Sequence, residues 1–381
     1  MKLAVIGAGL MGRAAAYDLS RDDEVTQVAV FDLDGARAEE VARRYGNGKA
    51  EGRVLNAADE QAAAEALQGC QAAVACTTYQ HNPGLTRAAM KTGCHLVDLG
   101  GNNDVVRTQM EMNAEAEAAG IIGVPDCGLA PGMVSLMVAD AAEHFEHVAS
   151  ARIRVGGLPQ VPRGMLKYQM VFSAEGLLNE YWEPCVILDG GHKQTVNPMT
   201  GLEKLAFDGI GDLEAFTTSG GSSTLPDTYA GKIDYLDYKT IRYPGHCDMV
   251  RAMLELGLAS RKKVEVAGNQ VEPRAVFRAV LDHNLSFNEP DLVLVRVTVE
   301  GVKAGKKATR VYEIVDRQDS RTGLTAMMRC TAFPAAIIAL LAAGGRITAR
   351  GVKPQEVAVK PSLFLPQLKK RGINLTITEQ A

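Results

Sequence analysis

KLAVIGAGLMGRAAAYDLSRDDEVTQVAVFD, residues 2–32, decides the reading of this chain. Its apolar start, Leu3–Ile6, has the length of a short buried strand. Gly7, Gly9 and Gly12, with Leu10 and Met11 before the last, complete G-x-G-x-x-G. The first glycine allows a tight turn and the second a close backbone approach to a pyrophosphate. The third lets a helix pack closely on the strand. Helix formers continue over Ala14–Leu19, so the free N–H groups of the first turn point at the phosphates. Val28–Phe31 reads as a second strand, and Asp32 stands twenty residues after Gly12. A carboxylate there accepts hydrogen bonds from both ribose hydroxyls and repels a 2′-phosphate, which favours NAD over NADP. A turn that merely uses glycine would leave Asp32 unexplained.

Outward from this stretch, residues 1–125 alternate β and α. Strands are expected at Val54–Asn56, Ala72–Cys76, His95–Leu99 and Ile121–Val124, with helices at Gly35–Tyr45, Glu60–Leu67, Pro83–Thr92 and Asn113–Ala119. Six parallel strands with intervening helices make a Rossmann-type, doubly wound α/β domain whose ligands lie at the C-terminal strand ends. Thr77, Thr78, Asp98, Gly100 and Asp126 fall at such ends, and the first four join the glycine loop and Asp32 as expected cofactor contacts.

Beyond residue 150 the period changes to two. Ala151–Gly156, Val264–Ala267, Leu292–Glu300 and Lys307–Val315 read as strands, the last two as a hairpin turning at Lys303–Gly305. With helices at Asp248–Leu256 and Arg274–Leu281 this is an α+β substrate and dimerisation domain, residues 126–330. Residues 331–381 supply an apolar helix and a tail that pack back on the first domain.

Composition narrows the partners. At 381 residues two domains are expected. The net charge is −4 without a basic block, so neither nucleic acid nor an anionic membrane is an expected partner. The longest apolar stretch, Ala332–Ala343, is shorter than the roughly 20 residues that span a bilayer. MKLAVIG runs straight into the first strand, so no signal peptide is expected there. Seven scattered cysteines without C-x-x-C point to reduced thiols, a cytoplasmic setting and no zinc site. Neither H-E-x-x-H nor G-x-S-x-G occurs.

Three loops carry candidate chemistry. In PDCGLAPGM, residues 125–133, Asp126 either helps bind a reacting amine or caps the turn through backbone N–H groups. Lys167–Gly176 sets Tyr168 near Ser173 and Glu175, which line a cleft or cap a helix. Thr217–His246 is richest: Thr218-Ser219-Gly220-Gly221 offers hydroxyls and N–H groups, and Lys239, Thr240, Arg242, Tyr243 and His246 crowd into eight residues. On a strand Thr240 and Arg242 share one face, Lys239 and Tyr243 the other. Arginine suits a substrate carboxylate, histidine a proton transfer; a solvated edge with a satisfied histidine is the plain alternative.

VIGAGLMG at 5–12, VDLGG at 97–101, PDCGLAPGM, VFSAEGLL at 171–178, EAFTTSGGSSTL at 214–225 and YKTIRYPGH at 238–246 resemble the saccharopine dehydrogenase-like family almost end to end. The likeness is greatest to its L-lysine 6-dehydrogenases. That resemblance implies a homodimer and a substrate site at Asp126, Tyr168, Ser219, Gly220, Thr240, Arg242 and His246. Saccharopine reductases commonly carry an aromatic residue where this chain has His246, which favours the lysine enzymes. The implied reaction is NAD-dependent oxidative deamination of the L-lysine ε-amine to 2-aminoadipate 6-semialdehyde and ammonia. His246 would move the proton, Asp126 hold the amine, Arg242 clamp the α-carboxylate, and Thr240 and Ser219 add hydrogen bonds. A saccharopine dehydrogenase acting on a secondary amine, and a silent NAD-binding sensor, are the alternatives. Sugar oxidoreductases sharing the first domain show E-K-P after the fifth strand, where this chain has Asp98-Leu99-Gly100-Gly101.

Overall fold

Alternation in the first third of the chain becomes a parallel sheet in the computed structural model, which describes residues 1–286 and 289–380. The final Ala381 of the expected tail lies outside the described residues. Chain contacts separate two units. The first comprises Met1–Glu143, Ser223–Leu225 and Met328–Leu375, and the second His144–Ser222, Pro226–Met327 and Thr376–Ala381. The expected boundary at 125/126 thus moves past the helix Met133–His144, whose first turns are buried throughout.

In the first unit the strand order is Gly351–Val352, Ile122–Val124, His95–Asp98, Ala72–Ala75, Lys2–Ile6, Gln27–Asp32, Ala50–Val54, all parallel. Six strands are those read from the sequence, although the third is Ala50–Val54 and not Val54–Asn56. Gly351–Val352 adds a seventh from the C-terminal part. A core of small side chains, among them Ala4, Ala29, Ala73, Ala75, Ala88 and Ala89, lets helices sit close to the sheet. The helix Ala326–Ala343 is apolar apart from Arg329 and Thr331, and 83 % of its residues are buried, the mark of a core helix.

The second unit is built on a mixed sheet in the order Glu203–Phe207, Gly211–Thr217, Ile233–Arg242, His147–Pro159, Asp291–Lys303, Lys306–Arg317, Leu375–Gln380. The expected hairpin forms with Lys303 opposite Lys306. Val264–Ala267 instead gives a separate two-stranded ribbon, Val264–Val266 with Asn269–Val271. Ile233–Arg242 carries the two-faced pattern that the sequence predicts. Lys239 turns to one side, donating to Glu203 and the Gly201 carbonyl, both at 2.6 Å. Arg154 on that side is closed by Asp237 at 2.8 and 3.0 Å and by Glu203. Thr240 and Arg242 face the other way.

Candidate functional site

The glycine loop shows which of its glycines the fold itself needs. A Cβ on Gly12 would stand 1.8 Å from the Gly7 carbonyl oxygen, so the helix lies on the loop only without one. A Cβ on Gly9 would meet nothing within 4 Å, and Gly9 has an ordinary negative φ of −71°. Its small size therefore leaves room for something other than protein. No side chain caps the helix Leu10–Leu19 at Gly9, and its first-turn N–H groups stay available to an anion. Asp32 accepts from the Ala8 N–H at 2.7 Å and the Asp34 N–H at 2.9 Å, which ties the loop to the acid while a second lone pair on each oxygen remains. Beside it Leu33 is 72 % exposed, and Val54, its strand neighbour's partner, 68 %. Sequence reading missed these two, because an apolar residue after a strand carries no signal of its own. At the next strand end the Thr77 hydroxyl is buried without a hydrogen bond. An orphaned donor, an uncapped helix and open space at Gly9 fit a dinucleotide phosphate group.

The Asp98 carboxylate is engaged within the protein. Its Oδ1 accepts from the N–H groups of Gly100 (2.8 Å) and Asp126 (3.3 Å), its Oδ2 from the Gln109 amide (2.8 Å). Burial nonetheless raises its pKa. It holds the two loops in which Gly100 and Asp126 lie. Asp126 is buried in the left-handed region at φ 61°, strain of the kind that collects at functional sites. Ser223 donates to its Oδ2, and its carbonyl accepts from Gln355 at 2.9 Å. Oδ1 packs where a Cβ on Gly100 would stand, 1.5 Å away, and makes no full hydrogen bond. Burial pushes the Asp126 carboxyl up to about 7; the Ser223 bond opposes this, and the charges of Asp98 and Glu356 add to it. The carboxylate accepts from the side-chain hydroxyl of Ser223, and the Gly101 N–H also draws its pKa down.

In the second unit Arg242, Tyr181 and His246 form a buried chain. The Leu166 carbonyl lies 2.8 Å from His246 Nδ1, which must carry the proton to donate there. Nε2 is then an acceptor, and Tyr181 donates to it at 3.1 Å. The same phenol oxygen accepts from Arg242 Nε at 2.8 Å. Tyr168 and Tyr181 stand edge-on to the imidazole and Phe216 stacks on it. Burial, aided by the Arg242 charge, pushes the His246 pKa down to about 3. Both ring nitrogens are committed and the ring is held neutral. His246 therefore does not match the expected proton carrier: it orients Tyr181, and through it Arg242.

The remaining expected contacts divide. Ser219 donates its hydroxyl to the Asn179 carbonyl (3.1 Å) and its N–H to the Glu180 carbonyl (2.9 Å), so it ties its loop to the helix Ala174–Trp182. Gly220 has φ 87° and open space where a Cβ would be. Thr240 shares a 2.6 Å hydrogen bond with Thr218. Ser173 caps its helix by accepting from the Gly176 N–H. Tyr168 stays at the site, its ring 4.7 Å from the Arg242 guanidinium carbon. Tyr181 and Glu180 were not singled out in the sequence. Glu180 Oε2 lies 4.0 Å from Arg242 Nη2 with 28 % of its side chain exposed, and burial pushes its carboxyl up to about 7 against the pull of Arg242. Among the described residues no three His, Cys, Asp or Glu side chains are placed to hold a metal ion.

Comparison with known proteins covers nearly the whole chain. Residues 3–124 match the saccharopine dehydrogenase NADP binding domain and residues 128–373 the saccharopine dehydrogenase C-terminal domain. A carboxyaminopropylagmatine dehydrogenase from Synechocystis is 21 % identical, over 98 % of this chain and 96 % of that protein. Among solved structures, apo saccharopine dehydrogenase (L-Glu forming) from Saccharomyces cerevisiae superposes with a TM-score of 0.83 at 19 % identity, covering both chains fully. The Legionella pneumophila homospermidine synthase, solved with NAD, gives 0.67 at 11 % identity over all of this chain and 91 % of that one. At these identities the structural likeness speaks for the fold.

Proposed function

The chain belongs to the saccharopine dehydrogenase family of NAD(P)-dependent amine dehydrogenases, and from that premise we propose that it deaminates the ε-amine of L-lysine oxidatively with NAD. The observation that carries the substrate is the number of spare buried cations. Arg242 spends Nε on Tyr181 and one Nη1 proton on the Ile241 carbonyl (2.9 Å), leaving three donors for a carboxylate. Arg154 and Arg274, the other buried guanidiniums of the second unit, are closed on Asp237 and Glu203 and on Glu175. One open guanidinium suits one amino-acid head, whereas saccharopine calls for a second clamp.

Gly7, Gly9, Gly12, Asp32 and Thr77 would hold the dinucleotide, which supplies the hydride acceptor when bound. Lysine, water and NAD+ give 2-aminoadipate 6-semialdehyde, ammonium, NADH and one proton. The semialdehyde closes to piperideine-6-carboxylate. Carbon–nitrogen double-bond formation needs the nitrogen lone pair, so the ε-ammonium, with a reference pKa of about 10.4, must lose a proton first. Asp126, whose carboxyl sits at about 7, is the acceptor matched to that step above neutrality. Arg242 holds the α-carboxylate.

NADH formation with L-lysine and NAD+, and with saccharopine, each with and without glutamate, tests the proposal. Lysine alone should suffice, with ammonia released and a rate that climbs from pH 7 towards 10. Turnover confined to saccharopine, or an optimum near pH 6, overturns it. The first of these outcomes would support the second reading, a secondary-amine dehydrogenase, which the resemblance to the Synechocystis enzyme favours.

A further inference from the structure

We infer that Glu180 and Arg242 form a clamp for the zwitterionic head of an α-amino acid, with Glu180 taking the ammonium; this rests on the lysine reading and names how that substrate is recognised. The two side chains face one another without closing. Their 4.0 Å approach is too long for a hydrogen bond. Other buried guanidiniums of the same unit do close: Arg154 on Asp237 at 2.8 and 3.0 Å, Arg274 on Glu175 at 3.0 Å. Arg242 cannot swing to shorten the gap, because Tyr181 and the Ile241 carbonyl fix its other edge, and Tyr181 is itself fixed by His246.

Each partner keeps unused hydrogen-bonding capacity. Arg242 has its outer N–H groups, and the Glu180 oxygens accept no hydrogen bond among the described residues. Part of Glu180 is exposed, so a ligand can reach it. The carboxylate and ammonium of an α-amino acid leave the same carbon. Held next to one another, they can engage at once a guanidinium and a carboxylate whose nearest atoms stand 4.0 Å apart. Above pH 7 the pair carries one positive and one negative charge, and a head of net charge zero keeps that balance in a setting where an unmatched charge is costly. An acid lacking the ammonium would leave Glu180 facing a carboxylate.

Calorimetric titration of the NAD-loaded enzyme with L-norleucine and with hexanoate reads the clamp without any ε-amine chemistry. Wild type should bind L-norleucine more tightly than hexanoate or D-norleucine. Glu180→Gln should weaken L-norleucine about tenfold or more and leave hexanoate unchanged. Equal affinity of wild type for L-norleucine and hexanoate overturns the clamp, as does an L-norleucine affinity in E180Q equal to wild type. The wild-type series stands by itself should E180Q fail to fold. Lysine turnover is measured in parallel. Discrimination without turnover sinks the lysine reading and leaves the clamp, and turnover without discrimination sinks the clamp alone.

Discussion

Alanine at Gly9 and alanine at Gly12 should fail in different ways, because one glycine makes room for a ligand and the other for the protein. Gly9→Ala meets no protein atom within 4 Å and keeps an ordinary φ, so its Tm should match wild type while NADH affinity falls at least about tenfold. Gly12→Ala drives a methyl into the Gly7 carbonyl and should lower the Tm as well. Thermal unfolding and NADH fluorescence titration of both variants check the pair; a destabilised Gly9→Ala would break the argument. His246 belongs to this scale too. Its pKa is near 3 folded and 6.5 unfolded, so the stability it contributes is present above pH 6.5 and is lost as the pH falls towards 3. His246→Gln should therefore melt below wild type at pH 8, with the gap narrowing as the pH is lowered to 4. Asp126 runs oppositely. Its raised pKa contributes stability below about pH 4 that is lost as the pH climbs through 7. RYPGH sets an arginine and a histidine close together in the sequence, and the family resemblance adds Tyr168 to them. The sequence could not show that both imidazole nitrogens would be spent, since Tyr181 and Leu166 sit far away in the chain.

Elements that hold the site were legible to the extent that their signals were local. Alternation placed Thr240 and Arg242 on one face of Ile233–Arg242 and Lys239 on the other, because side-chain direction follows from strand period alone. The ribbon Val264–Val266 has the same alternation as a sheet strand, and only pairing, a non-local choice, sends it elsewhere. The helix His246–Glu255 has no side-chain cap of its own, with Gly245 left-handed before it. Glu214 from the neighbouring strand does that work, accepting from the Gly245 N–H at 2.8 Å and the Cys247 N–H at 2.7 Å. Removing the carboxylate leaves a buried donor at Cys247 unsatisfied and frees the turn that presents His246. Glu214→Ala should cost about 2 to 4 kcal/mol and Glu214→Gln less, by urea unfolding. Both should weaken L-norleucine binding through Arg242 while NADH affinity stays as in wild type; unchanged L-norleucine affinity in a destabilised Glu214→Ala would show that the cap and the site are independent.

At the scale of the molecule, the first unit is not one continuous run of sequence. Residues 331–381 read as a helix and tail returning to the first domain, but two residues in strand conformation, Gly351–Val352, give no period that a sequence could reveal. They pair with Ile122–Val124, which would otherwise be an open edge. Further along, Gln355 donates to the Asp126 carbonyl and Arg371 to both oxygens of buried Asp18 at 2.8 Å. The helix Ala326–Ala343 lies largely buried, so its absence would expose apolar surface that the remaining strands and helices cannot cover. A fragment of residues 1–143 holds the glycine loop, Asp32 and Thr77, yet lacks these supports, and buried Asp18 would lose its ion pair with Arg371. We expect it to show no cooperative thermal transition and no NADH binding. Joining residues 328–375 to it through a flexible linker should restore both, since that segment returns the edge strand, the ion pair and the helix together. If 1–143 alone melts cooperatively and binds NADH, the C-terminal segment is dispensable to the nucleotide half, and its hold on the Asp126 backbone would have to be sought in catalysis instead of folding.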